Sequence, residues 1–100
     1  MKKNELVAQI LKFVKEKGGS PKHYYVGTSS DPGTKMFTMH LVQPLGGIYK
    51  YIAADSFEEA VAAKTDLIEN HGFDGRDSRE SPKATYIYVY KKTAGSKQEL

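Results

Sequence analysis

The stretch Tyr24-Tyr25-Val26-Gly27-Thr28-Ser29-Ser30-Asp31-Pro32 decides how this chain is read, and Lys35 to His40 continue it. It predicts a buried strand, a tight turn and the start of a helix. Tyr24, Tyr25 and Val26 are β-formers. Gly27 permits a bend or a close backbone approach that a side chain would block. Asp31 suits the N-cap, where its carboxylate takes an orphan amide of the first turn. Pro32 suits the first helical position, where its missing N–H costs nothing. The helix that follows carries Lys35, Met36, Phe37 and His40, and Gly33 and Thr34 keep it short.

Upstream, Asn4 is expected to cap a first helix running to Lys17. Leu6, Val7, Ile10, Leu11 and Val14 recur at helical spacing and define one apolar face, with Phe13 at its edge. Gly18-Gly19 end it, and Gly18 to Lys22 form a loop broken by Pro21. Six lysines against two glutamates lie between Met1 and Lys22; they read as a solvated helix face. Downstream, Val42 to Gly47 read as a loop or a hairpin turn, and Ile48 to Ala53 as a strand.

Asp55-Ser56-Phe57-Glu58-Glu59 predicts a helix start, with Ser56 and Glu59 as a capping box. That helix should reach Asn70 or His71, with Gly72 as its left-handed cap. Phe57, Ala60, Val61, Leu67 and Ile68 form its apolar stripe, and the spacing puts Lys64 inside it. A lysine there either packs its stem and snorkels or projects into a polar cleft on the sheet. Gly72 to Lys83 read as a loop with Arg76 and Arg79 as its cations. Thr85 to Tyr90 alternate with period two, Tyr86, Tyr88 and Tyr90 on one face and Thr85, Ile87 and Val89 on the other. Two covered faces predict a central strand. Ala94 to Leu100 read as a frayed tail.

One hundred residues suit one small domain, divided as 1–22 (helix and loop), 23–92 (core) and 93–100 (tail). Hydrophobic content of 39% and seven tyrosines support a modest core. The chain has no cysteine, which removes a disulfide framework, a thiolate metal site and a thiol nucleophile and fits a reducing, cytoplasmic setting. Met1-Lys2-Lys3 leads into a lysine-studded helix, so no signal peptide is read, and no run reaches membrane-spanning length. A net charge of +3 and a pI near 9.0 permit nucleic-acid or acidic-protein partners and disfavour a mimic of DNA.

The order helix, strand, helix, strand, helix, loop, strand describes an α+β fold, a small three-stranded sheet flanked by helices. A strand ending in Tyr25-Val26-Gly27 and followed by a capped helix with a basic residue resembles the GIY-YIG nuclease domain. The resemblance is to a permuted form, in which Ala84-Thr85-Tyr86-Ile87-Tyr88 at the C-terminal end takes the place of the GIY strand. Small uncharacterised phage and bacterial proteins with a similar strand, Asp-Pro and Tyr-x-Tyr-Lys-Lys pattern are also similar. The literal Gly47-Ile48-Tyr49 lies after the YIG-type strand instead of before it and is read as chance.

That family hydrolyses phosphodiesters with two strand tyrosines, a helical arginine and a glutamate that holds one divalent metal. The resemblance carries the tyrosines to Tyr25 and Tyr86, with Tyr88 competing for the second place. It carries the arginine to Lys35, a helix-end histidine to His40, and the metal glutamate to Lys64. An ammonium cannot ligate a hard divalent cation, which wants oxygen ligands, and Lys35 lacks the guanidinium fork. Neither Asp66 nor Glu69 replaces the missing carboxylate convincingly. His23, His40 and His71 have no metal-ligand spacing, and Ser29 and Ser30 no triad context. No catalytic residue, metal or cofactor is therefore assigned. The expectation is a catalytically inactive GIY-YIG-like module that binds nucleic acid through Tyr25, Lys35, His40, Lys64, Tyr86, Tyr88, Arg76 and Arg79. The alternatives are a phage or mobile-element effector that binds and inhibits a host protein, and an active metal-dependent nuclease.

Overall fold

The structure is a computed structural model that describes residues 1–34, 36, 47–75 and 83–92. Its elements are α1 (Lys3–Lys17), β1 (Tyr24–Ser29), the short turn α2 (Pro32–Thr34), β2 (Tyr49–Ala53), α3 (Phe57–His71) and β3 (Tyr86–Lys91). The fold class is the α+β one expected, with two long helices on a three-stranded antiparallel sheet.

The strand order is β1-β3-β2, so the C-terminal strand is central and pairs on both sides. Its register sets Tyr25 against Tyr90 and Gly27 against Tyr88 on β1, and Tyr51 against Tyr88 on β2. The far edge of β1 is covered too. The Val26 N–H donates to the Asp74 carbonyl at 2.9 Å and the Asp74 N–H to the Tyr24 carbonyl at 3.0 Å. The first residues after α3 are thus part of the sheet's edge instead of the loop the composition suggested, and Phe73 is buried.

Leu6, Val7, Ile10, Phe13 and Val14 bury the inner face of α1. The helix begins at Lys3, and Asn4 lies inside its first turn, not at the cap. The Lys2 N–H instead donates to the Glu5 carboxylate at 3.1 Å, which replaces the cap expected from Asn4. Gly18 stops the helix with φ 89°.

In α3 the Ser56 hydroxyl accepts the Glu59 N–H at 3.2 Å, as the motif predicts. The reciprocal half does not form. The Glu59 carboxylate accepts the Lys3 N–H at 2.6 Å, and the Asp55 N–H donates to the Met1 carbonyl at 2.8 Å. A carboxylate that can satisfy an orphan amide of a neighbouring helix serves two helix starts at once. The two helices therefore start together and run parallel across one face of the sheet. Gly72 closes α3 in the left-handed region, φ 79° and ψ 16°, and the Phe73 N–H returns to the Leu67 carbonyl, a glycine-capped helix end.

Strand alternation sorts the core. Tyr24, Val26, Ile87 and Val89 face the helices and pack with Ile10, Ala63 and Leu67. Tyr25, Tyr88 and Tyr90 face the other way and pack with Met36. Tyr24 donates its hydroxyl to the Gly18 carbonyl at 2.7 Å, and burial raises its phenol above the ordinary tyrosine value.

Gly27 is required by a close approach. A Cβ built there would collide with the Tyr88 hydroxyl and lie 2.9 Å from its Cε2. The Tyr88 ring rests on the bare backbone of β1. Gly27→Ala should cost about 1–3 kcal/mol through overpacking, visible as a lower denaturation midpoint and a changed near-ultraviolet tyrosine spectrum.

Thr28 lies on the helix-facing side, fully buried, and its hydroxyl has no hydrogen-bond partner among the described residues. Valine keeps the β-branched shape and removes the desolvated hydroxyl. Thr28→Val should stabilise the domain by about 1–2 kcal/mol. A thermal melt checks this; a loss of stability would show that the hydroxyl holds an ordered partner.

Candidate functional site: the open end of a tyrosine face

Six of the seven tyrosines, Tyr25, Tyr49, Tyr51, Tyr86, Tyr88 and Tyr90, share the face turned away from α1 and α3. Their alternation along three paired strands puts them there, whereas Tyr24 has the opposite parity. Part of this face is a stack. The Tyr25 and Tyr90 rings lie 5.4 Å apart at 29°, and Tyr88 and Tyr90 lie 6.5 Å apart at 6°. Offset ring pairs of this kind add about 0.5–1.5 kcal/mol beyond the area they bury.

The other end of the face is open. Tyr51 is 51% exposed and meets Tyr86 edge-on, with centroids 6.4 Å apart at 67°. Together with Ser30, Asp31, Pro32 and Gly33 these two rings line a cleft of about 250 Å³. The turn after β1 forms one wall and the edge strand β2 the other. The Asp31 N–H donates to the Ser29 hydroxyl at 3.0 Å, which fixes the turn.

The residues singled out from sequence fall into four groups. Tyr86 lies in the open cleft. Tyr25 and Tyr88 share its face but are 5% and 2% exposed, so they belong to the stack beneath and not to the surface. Lys35, His40, Arg76 and Arg79 lie outside the described residues.

Lys64 stands apart. It lies on α3, which packs on the opposite face of the sheet. It is 2% exposed and lines a cavity of about 80 Å³ with Thr65, Ile68 and Glu69 and with none of the tyrosines. The expectation that Lys64 shares one tyrosine-lined cleft is therefore corrected. Its stem fills the stripe between Ala60 and Leu67, as one of the two alternatives had it, but the side chain is covered nearly to its tip, so the snorkelling that this alternative included is not seen. No hydrogen bond or ion pair joins its ammonium to another of the described residues. Lys64→Met should keep the packing and leave stability unchanged or raised by about 1 kcal/mol, whereas Lys64→Ala should cost about 2 kcal/mol. Chemical denaturation of both variants checks this; a large loss in Lys64→Met would reveal a partner for the ammonium.

Tyr51 is the residue that sequence reading missed. Period-two alternation from Tyr49 already places it on the tyrosine face. Its exposure depends on β2 being an edge strand, which the local pattern does not contain. Among the described residues no group of three or more His, Asp or Glu side chains could hold a metal ion, and no helix is long and apolar enough to cross a membrane.

No family model, curated protein or solved structure matches this chain.

Proposed function

We propose that this domain is a non-catalytic module that binds single-stranded nucleic acid, with Tyr51 and Tyr86 as the platform on which bases stack. The observation that carries this reading is the edge-on pair of exposed Tyr51 and half-buried Tyr86 lining an open cleft of about 250 Å³. Every base has a π-face, so an accessible aromatic pair binds single strands with little regard for sequence. The net charge of +3 favours a polyanion.

The likeness to a permuted GIY-YIG domain is part of the proposal. It is supported by a central C-terminal strand that lies beside Tyr25-Val26-Gly27. Lys64, to which the likeness carries the metal-holding glutamate, packs on the face opposite the tyrosines, so that part of the likeness finds no support and the reading rests on the tyrosine pair.

Fluorescence anisotropy with a labelled oligo-dT at low salt tests the reading. Base–aromatic stacking is worth about 1–3 kcal/mol per base, so Tyr51→Ala and Tyr86→Ala should each weaken binding roughly tenfold, and Tyr51→Trp should retain it. Wild-type protein that fails to bind, or alanine variants that bind as well as wild type, would contradict it.

A further inference from the structure

The pole at which both helices end gathers a group of basic side chains. Because α1 and α3 run parallel, both helices end at the same pole, where β1 begins and β3 finishes. Lys17 closes α1, Lys22 and His23 lie in the turn Pro21–His23, and Lys91 closes β3. The opposite pole holds Asp31, Asp55, Glu58 and Glu59 together with Lys2 and Lys3.

The basic groups converge on one backbone corner. Lys91 pairs with Tyr24, and the Lys92 N–H donates to the His23 carbonyl at 2.8 Å. A Cβ on Gly19 would lie 3.5 Å from His23 Nδ1 and 3.8 Å from Lys91 Cε, so the lysine stem and the imidazole both border that glycine. Lys17, Lys22 and His23 are exposed and Lys91 is half-buried. Of the acids at this pole, Asp74 is engaged by Lys92 at 3.1 Å, Glu16 by Lys12 at 4.0 Å and Asp66 by His71 at 3.7 Å, and Glu69 lies in the last turn of α3. His23 Nδ1 accepts the Ser20 N–H at 3.3 Å, which leaves Nε2 as the donor of the neutral ring. Helix-end electrostatics account for Lys17. They do not account for Lys22, His23 and Lys91, which lie off the helices.

We infer that this corner, Lys17, Lys22, His23 and Lys91, is the phosphate-binding surface of the module. The inference rests on the nucleic-acid reading above and assigns the backbone contacts to residues separate from the stacking platform. From Lys91 to Tyr86 is five strand steps, about 17 Å, a length that a few nucleotides bridge. Lys91 has the helix-facing parity of Ile87 and Val89, so a single strand held at the corner by its phosphates passes round the β2 edge of the sheet to lay its bases on Tyr51 and Tyr86.

A salt titration of oligo-dT binding separates the possibilities. The variant Lys17→Gln, Lys22→Gln, Lys91→Gln is compared with a control of equal charge, Lys2→Gln, Lys3→Gln, Lys12→Gln. With about 0.7 in logarithmic salt slope per phosphate contact on a single strand, the corner variant should lose about two in slope, and the control should keep the wild-type slope. Lys17→Gln with Lys22→Gln, both fully surface changes, should lose about 1.4 and guards against a folding effect at Lys91. Equal slopes in the corner variant and wild type, or equal losses in the corner and control variants, would overturn this inference alone while Tyr51→Ala still weakened binding. Absence of wild-type binding at low salt would overturn the nucleic-acid reading together with it.

Discussion

The ring of Tyr88 lies across Gly27, and the tyrosine face is built around that contact. A strand normally keeps its neighbours' side chains at side-chain distance. Here the missing Cβ lets an aromatic ring settle onto the backbone of β1. That seat lies next to Tyr90, which stacks on both Tyr88 and Tyr25, and Met36 closes over the group. The stack is consumed in building the domain. What remains accessible at the far end of the same face, Tyr51 and Tyr86, is free to meet a ligand.

The second organising feature is the shared start of α1 and α3. Glu59 accepts an amide from Lys3, and the amino-terminal residue bonds to Ala53 and Asp55 on the way into α3. The amino group holds the Asp55 carboxyl below its usual range, first through their hydrogen bond and then through its charge. These contacts hold the starts of the two helices together. Both C-terminal ends lie at one pole, where α1 closes with Lys15 and Lys17 and α3 with His71. The gathering of Lys17, Lys22 and Lys91 at one corner is thus a consequence of how the elements are directed, not of a charge run in the chain.

Much of this was legible in the residues. The Thr85–Tyr90 alternation specified a two-sided central strand, Ser56 specified where α3 starts, and Gly72 specified where it stops. Lys64 was recognisable as a lysine in an apolar stripe, but periodicity cannot say which side of the sheet a helix covers. Asn4 and Glu59 misled for a related reason. Capping motifs describe isolated helix ends, whereas here acidic side chains met other amides, Glu5 that of Lys2 and Glu59 that of a different helix. Tyr25 and Tyr88 looked like surface groups because tyrosine patterning gives face but not depth. Depth came from Gly27 and from the packing of Met36, and exposure of Tyr51 came from strand order. Each of those is a long-range property.

The central claim is that one tyrosine face is divided between a structural stack and an open binding end. Two-dimensional NMR of the tyrosine ring protons during titration with unlabelled oligo-dT tests it most directly. Stacked bases shield the rings they cover, so the account predicts upfield shifts for Tyr51 and Tyr86 with Tyr24 and Tyr90 unmoved. Ring signals that stay fixed at Tyr51 and Tyr86 while the oligonucleotide binds would contradict it.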